Sequence, residues 1–299
     1  MEKVIEIKGM KKAFGKTQAL SNVSFEVTKG EIVGFIGPNG AGKSTTIRIL
    51  LGLIKADAGE ARIFGKDVWK DAVEIHKRVA YVPGDVNLWP NLTGGEVIDL
   101  FLSMRGQKVD KERKEELIRR FEFDPTKKCR SYSKGNRQKV ALIAAFAADA
   151  DVYIFDEPTA GLDPLQERVF QEQAREVKKR GASVLLSSHI LSEVEQLCDT
   201  VAIIRQGEIV ESGSLDELRH LTRTQIILKT KEEVPALNKQ DFAHDVVLEK
   251  GEIIFQLDSE KMPEFLNYIE PFHVTKLESA PPKLEDLFMR HYESTRGGV

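Results

Sequence analysis

The stretch that most constrains this chain is Gly37-Pro38-Asn39-Gly40-Ala41-Gly42-Lys43-Ser44. Its spacing, G-x-x-x-x-G-K-[ST], is that of a phosphate-binding P-loop. The apolar run Ile32-Val33-Gly34-Phe35-Ile36 before it reads as a buried parallel strand. The residues after it, Thr45-Thr46-Ile47-Arg48-Ile49-Leu50-Leu51, suit a helix with one buried face. Strand, glycine loop and helix thus stand in the order that such a loop needs. With ordinary residue frequencies a chance match in a chain this long is on the order of 1 in 100, and the flanking elements lower that further. Glycines let the loop wrap a phosphate closely, with backbone N–H groups pointing inward. The helix start adds a partial positive charge. Lys43 can reach the β- and γ-phosphates, and Ser44 can place its hydroxyl on Mg²⁺. The pattern predicts nucleotide binding.

Composition narrows the class. The chain has 299 residues, enough for one large domain and a small one, or for two of medium size. Hydrophobic residues make up 41% and charged residues 30%, as in ordinary globular proteins. A net charge of −3 gives no reason to expect nucleic-acid binding. Cys129 and Cys198 are far apart and lack metal-ligand spacing, which argues for a reducing compartment. The start, Met1 to Glu6, does not read as a signal peptide. The longest apolar run, Val140 to Ala148, is far shorter than the ~20 residues of a spanning helix. A cytoplasmic location is therefore expected, with any membrane role exerted through a partner.

Val4 to Ile7 and Val23 to Val27 read as short strands of an opening antiparallel segment, with Lys11 to Lys16 a polar turn between them. Phe14 stands in that turn; its plain reading is local packing. Arg62 to Gly65 and Val79 to Pro83 are further strands, the second ending in the loop Gly84-Asp85-Val86-Asn87. Residues 88–150 then read as a helical insert. Val97, Leu100, Phe101 and Met104 mark one apolar helix face. Asp110 to Phe121 is a charged amphipathic helix, whose basic residues are expected to be a solvated face, as are Lys127, Lys128 and Arg130. Ser133-Lys134-Gly135-Asn136 precedes an alanine-rich helix over Ala141 to Ala150, and a Ser-x-Gly at a helix start is a second anion-receptive place. Taken alone it is weak evidence, because many helices begin with a capping Ser.

Val152-Tyr153-Ile154-Phe155 leads into Asp156-Glu157. A buried strand ending in Asp suits a Mg²⁺ contact, and Glu157 next to it faces the same phosphates. In the plain reading both acids only cap the following loop. Asp163-Pro164 starts a helix that closes on Lys178-Lys179-Arg180-Gly181. Ser183 to Ser188 is a core strand with His189 at its end. Val201 to Ile204 and Glu208 to Val210 form a finishing hairpin, and Leu215 to Leu221 a closing helix. From 223 on, four short strands and two amphipathic helices, Lys261 to Ile269 and Leu284 to Tyr292, read as a small α+β domain without a catalytic constellation. The end, Arg296-Gly297-Gly298, is expected to fray.

With these residues in view, the chain resembles the nucleotide-binding subunits of ABC transporters over residues 1–222. The P-loop, Ser133-x-Gly135, the Walker B strand with Glu157, the loop Ala160 to Asp163 and His189 occur in that family's order and spacing. The remainder, 223–299, with Leu284-Glu285-Asp286-Leu287-Phe288, is similar to the accessory domains of ABC-2-type, often exporter, ATPases. The resemblance implies an α/β fold: a RecA-like P-loop NTPase core with an antiparallel β-subdomain and a helical insert, then the small α+β domain. It also implies ATP and Mg²⁺ as cofactors. Phe14 would stack on adenine. Gly37, Pro38, Asn39, Gly40, Ala41, Gly42, Lys43, Ser44, Thr45 and Thr46 would hold phosphates and Mg²⁺, with Ser44 and Asp156 as the metal ligands. Glu157 would polarise the attacking water, and His189 would contact the γ-phosphate. Ser133, Lys134, Gly135 and Asn136 would complete the ATP site of a second ATP-binding subunit, with Asp163 at that interface. A polytopic membrane permease is the implied partner, which places the chain on the inner face of the cell membrane.

The chain departs from the family pattern in two places. Lys134-Gly135-Asn136 stands where Gly-Gly-Gln is usual, and Gly84 stands where the Q-loop Gln is usual. A soluble ABC ATPase acting on ribosomes or DNA is the rival reading. The single P-loop argues against the fused ribosome-acting type, and the lack of a heptad run against the DNA-repair type. A P-loop kinase would leave the signature helix and His189 unexplained.

Overall fold

The computed structural model describes residues 2–106, 110–220, 223–235 and 237–280. Strands β1 (Lys3–Phe14) and β2 (Thr17–Thr28) form a hairpin closed by only Gly15 and Lys16, with Phe14 paired to Thr17. The expected turn over Lys11 to Lys16 is therefore mostly strand. Lysines do not break a strand when one face is open to solvent, and the inward positions Ile5, Ile7 and Met10 remain buried.

The chain continues through β3 (Ile32–Ile36), α1 (Lys43–Leu50), β4 (Ala58–Ile63), β5 (Lys66–Asp67), α2 (Ala72–His76) and β6 (Val79–Val82). The insert carries α3 (Gly94–Met104), α4 (Lys111–Arg120) and α5 (Lys134–Ala147). Then come β7 (Val152–Asp156), α6 (Pro164–Lys179), β8 (Ser183–Ser188), α7 (Leu191–Leu197), β9 (Thr200–Arg205) and β10 (Glu208–Ser214). These strands form one sheet in the order β5-β4-β1-β2-β10-β9-β3-β8-β7-β6. The β9-β3-β8-β7-β6 side is parallel, and the β4-β1-β2 side antiparallel. The two sides meet at a single pair, Asn22 with Glu208. Every residue of β3, β7 and β8 is buried, which is why these strands read as continuous apolar runs rather than alternating ones. Phe146 of α5, Phe155 of β7 and Phe170 of α6 pack with ring centroids 5.3 and 5.2 Å apart along that series. Each such fully buried ring contributes about 1.5–3 kcal/mol.

The helix boundaries follow local chemistry. Thr93 and Glu96 close a capping box on α3. Ser133 caps α5, which begins at Lys134, seven residues before the expected alanine run, and ends at Ala147. Asp163 caps α6 with Pro164 in its first turn. Two expectations for the insert are corrected. The buried face of α3 is Gly94, Val97, Ile98 and Leu102, while Met104 is 73% exposed. Apolar residues occupy most of that helix's circumference, so only packing on α5 selects a face. The basic residues of α4 are not simply solvated. Arg113 reaches Gln173 Oε1 at 2.5 Å and Glu176 at 3.0 Å, and Arg120 reaches Glu172 at 2.8 Å, so α4 is tied to α6.

The chain divides into two compact units, Met1–Gly213 and Ser214–Val299. Helix α8 (Leu215–His220), expected to close the first domain, lies in the span of the second. That unit holds an antiparallel sheet, β12-β13-β11-β14, made of β11 (Thr224–Thr230), β12 (Ala243–Glu249), β13 (Glu252–Leu257) and β14 (Val274–Ala280). Phe265 and Ile269 of α9 (Met262–Ile269) join Ile226, Leu228, Phe242 and Phe255 in its core. The expected helix Leu284 to Tyr292, its Leu284-Glu285-Asp286-Leu287-Phe288 stretch, the end at Arg296 to Gly298, and Leu221 lie outside the described residues.

Candidate functional site

The loop between β3 and α1 is shaped by positions that admit no side chain. A Cβ on Gly37 would lie 2.3 Å from the Ile204 carbonyl oxygen. Gly42 has φ +116°, and a Cβ there would lie 2.6 Å from Leu20 Cδ2 and 3.0 Å from the Ala19 carbonyl oxygen. The loop is thus wedged between the end of β9 and the start of β2, and Gly42 needs the left-handed backbone region. Ala41 N donates to the Pro38 carbonyl at 3.1 Å, a turn that leaves Asn39 and Gly40 exposed. Ser44 is exposed in the first turn of α1 and Thr45 half-buried beside it. Thr46 differs from expectation: it is fully buried, and its hydroxyl donates to the Gly42 carbonyl at 3.0 Å.

Lys43 is buried. Its Nζ donates to the Gly37 carbonyl at 2.6 Å and the Pro38 carbonyl at 3.3 Å, and stands 3.6 Å from Glu157 Oε1. Burial pushes this amine down from the ordinary lysine value, and the Glu157 carboxylate opposes the shift. Glu157 follows the last residue of β7 with φ +49°, a left-handed conformation held by N–H bonds to the carbonyl and hydroxyl of Ser187, 3.0 and 3.3 Å away. That turn aims its carboxylate between Lys43 and His189, whose Nδ1 is 3.4 Å from Oε1. Asp156 is buried, and its Oδ1 accepts from Ser187 Oγ at 2.5 Å. Lys43, Asp156, Glu157 and His189 therefore meet where β3, β7 and β8 end, the edge at which parallel sheets hold ligands.

The remaining expected residues take other places. Phe14 is 50% exposed at the tip of the hairpin, with Lys12 Nζ 5.5 Å from its ring centre. The neighbouring Ala19 and Leu20 touch Gly42, which brings the hairpin end to the P-loop. Ser133 spends its hydroxyl on the Asn136 N–H at 3.3 Å. Ser133 and Lys134 are exposed, and Gly135 and Asn136 half-buried. A Cβ on Gly135 would lie 2.3 Å from the Gly161 carbonyl oxygen, so the start of α5 lies against the loop that leads to Asp163. Asp163 is exposed and accepts from Gln166 N at 3.0 Å. Gly84 sits by the end of β7: a Cβ there would lie 3.1 Å from the Asp156 carbonyl oxygen.

Sequence reasoning missed Ser187 and Gln138. A hydroxyl pair, Ser187-Ser188, closing an otherwise apolar strand was the available signal for the first. Gln138 is buried on α5, with Nε2 3.5 Å from the Pro83 carbonyl beside Gly84, and nothing in its sequence context marks it.

Known proteins resemble this chain in sequence and fold. The ABC transporter family model matches residues 20–160, and a model described as the C-terminal domain of DrrA1-3-like ATP-binding proteins matches residues 213–292. The ABC transporter ATP-binding protein YdbJ of Bacillus subtilis is 32% identical over 97% of this chain and 95% of its own length. The chain belongs to the ABC transporter ATP-binding protein family. This ABC protein is also 33% identical to the daunorubicin resistance ATP-binding protein DrrA3 of Streptomyces coeruleorubidus, over 75% of this chain and 73% of that one. It is 32% identical to the linearmycin resistance ATP-binding protein LnrL of Bacillus subtilis, over 72% and 70%. Its fold matches a solved ATP-binding subunit of an ABC transporter with a TM-score of 0.67 and 34% identity, covering 73% of this chain and 92% of the other. A dimeric ATP-binding cassette in a post-hydrolysis state, bound to ADP and Pi, matches with a TM-score of 0.65 and 25% identity, covering 71% and 98%. The ABC family reading brings with it nucleotide binding at the P-loop.

Proposed function

We propose that this ABC protein hydrolyses ATP to drive a separate membrane permease, as an exporter, from the inner face of the cell membrane. The observation that carries the reading is the meeting of Lys43, Asp156, Glu157 and His189 at the phosphate loop. Lys43, now bonded to the Gly37 and Pro38 carbonyls, would exchange them for the β- and γ-phosphate oxygens of ATP. The loop N–H groups from Gly37 to Thr45 would hold the same phosphates. Phe14 would stack on the adenine. The exposed Ser44 hydroxyl and the Asp156 carboxylate fit Mg²⁺, which takes few protein oxygens and completes its shell with phosphates and water. When bound, Mg²⁺ would neutralise charge that develops on the phosphates. Ser187 holds the Asp156 carboxylate in place by its hydrogen bond. Glu157 would accept a proton from, or orient, the attacking water, and His189 would hold the γ-phosphate while contacting Glu157.

Ser133, Lys134, Gly135 and Asn136 would complete the ATP site of a second ATP-binding subunit, with Asp163 at the shared surface. Exposure of Ser133, Lys134, Asp163 and Leu165 supports that assignment. A permease partner is supported by an open groove of about 590 Å³ between the core and the insert, walled by Leu53, Val73 and Met104. These three are 59%, 75% and 73% exposed, an apolar surface that suits a membrane-protein segment. No helix among the described residues is long and apolar enough to cross a membrane. The daunorubicin and linearmycin resistance relatives support export as the direction.

Glu157→Gln tests the hydrolysis reading. It keeps the shape and removes the charge. Turnover should fall about 10²- to 10⁴-fold while ATP still binds and a dimer accumulates. Near-normal phosphate release would overturn the assignment.

A further inference from the structure

Glu193 plays no part in the chemistry above, yet its carboxyl is buried at 6% exposure. It stands on α7, four residues past His189. Its Oε2 accepts from Ser188 Oγ at 2.8 Å. The same Ser188 hydroxyl accepts from Ile190 N at 3.0 Å. The loop that carries His189 is therefore folded around one hydroxyl, and that hydroxyl is held by Glu193. The second oxygen, Oε1, is buried without a hydrogen-bond partner among the described residues. The hydroxyl of the buried Thr159, two residues past Glu157, also draws the Glu193 carboxyl toward a lower pKa. The Thr159 loop is itself tightly turned: Ala160 N donates to the Glu157 carbonyl at 3.2 Å, and Leu162 N to the Thr159 carbonyl at 2.9 Å. In front, His189 touches Glu157. Behind it, Ser188 holds the buried carboxyl of Glu193.

A carboxyl removed from water is costly, and an apolar side chain would fill the space more cheaply. We propose that Glu193 is a positioning residue for hydrolysis: through Ser188 it fixes the loop bearing His189. The inference rests on the ATPase reading above. Burial pushes the Glu193 carboxyl up from the ordinary value, against the pull of the Ser188 and Thr159 hydroxyls. The Ser188 hydroxyl needs an acceptor oxygen at this place, and glutamine keeps both the shape and that oxygen.

The test is phosphate release and nucleotide titration on the full chain. Glu193→Ala should lower kcat about 10- to 100-fold, the loss expected of a displaced catalytic group. ATP affinity should stay within about twofold, because the P-loop is untouched. Glu193→Gln should recover most of the lost rate. Glu193→Ala added to His189→Ala should cost little beyond His189→Ala alone, since both act through one group. Normal turnover in Glu193→Ala, an equal loss of affinity, or additivity with His189→Ala would each overturn the proposal. If Glu193→Ala is unfolded by circular dichroism, Ser188→Ala takes its place, with the same kcat loss expected and normal turnover as the overturning result. A wild-type chain that releases no phosphate, or His189→Ala at wild-type rate, overturns instead the hydrolysis reading beneath the inference.

Discussion

At position 84 a neighbour explains the missing side chain. A Cβ would stand 3.1 Å from the Asp156 carbonyl oxygen, and the end of β7 would have to yield to admit one. A glycine there lets the loop from β6 lie close to the strand that carries Asp156 and Glu157. It leaves no side-chain oxygen at that position for Mg²⁺. Asp85, the next residue, is exposed and carries a carboxylate that could reach the metal through a water. Asp85→Ala should therefore lower steady-state ATP hydrolysis more than it lowers ATP affinity. Unchanged turnover beside an unchanged titration curve would exclude Asp85 from the site. Lys43 and Glu157 form a further pair, 3.6 Å apart. In the proposed mechanism the amine, now bonded to the Gly37 and Pro38 carbonyls, would turn to the phosphates and leave Glu157 to water and His189.

At the scale of elements, α4 and α6 show which charges matter. Arg113 has only 12% of its side chain exposed, and its NH2 is the partner of Gln173 Oε1, which lies in a fully buried side chain. Removing Arg113 leaves that oxygen unsatisfied, a loss of about 1–3 kcal/mol. Arg120 contacts Glu116, Glu172 and Glu176, all roughly two-fifths exposed, so its pairs are screened by water and worth under about 1 kcal/mol. Urea unfolding of Arg113→Ala and Arg120→Ala should separate the two, with Arg113→Ala clearly the weaker protein. Equal midpoints would mean that Gln173 finds another donor. α5 works at both ends of this arrangement: Gly135 abuts the Gly161 carbonyl at its start, and Gln138 reaches Pro83 one turn on. The helix thereby touches the loops that follow both β6 and β7.

On the scale of the whole molecule, the two units carry separate cores, one around the P-loop sheet and one around Phe255 and Phe265. A chain ended at His220 keeps all of β10 and should fold and bind ATP. A coil-like circular dichroism spectrum would show that the first unit needs the second. The sequence by itself determined the parallel sheet and its phosphate loop. Fully buried strands must be continuously apolar, and a close phosphate cradle demands glycines at set spacing. Caps were legible for a similar reason: Ser133 and Asp163 satisfy N–H groups three residues away, a contact that needs no tertiary structure. The length of the β1/β2 hairpin, the buried face of α3 and the pairing of Arg113 with α6 were not legible. In each, several conformations satisfy the local pattern, and only a neighbour distant in sequence decides among them. The same holds for Ser187 on Asp156 and for Glu193 behind His189. A hydroxyl or carboxyl has no sequence signal of its own, and its meaning comes from the loop that the fold brings beside it.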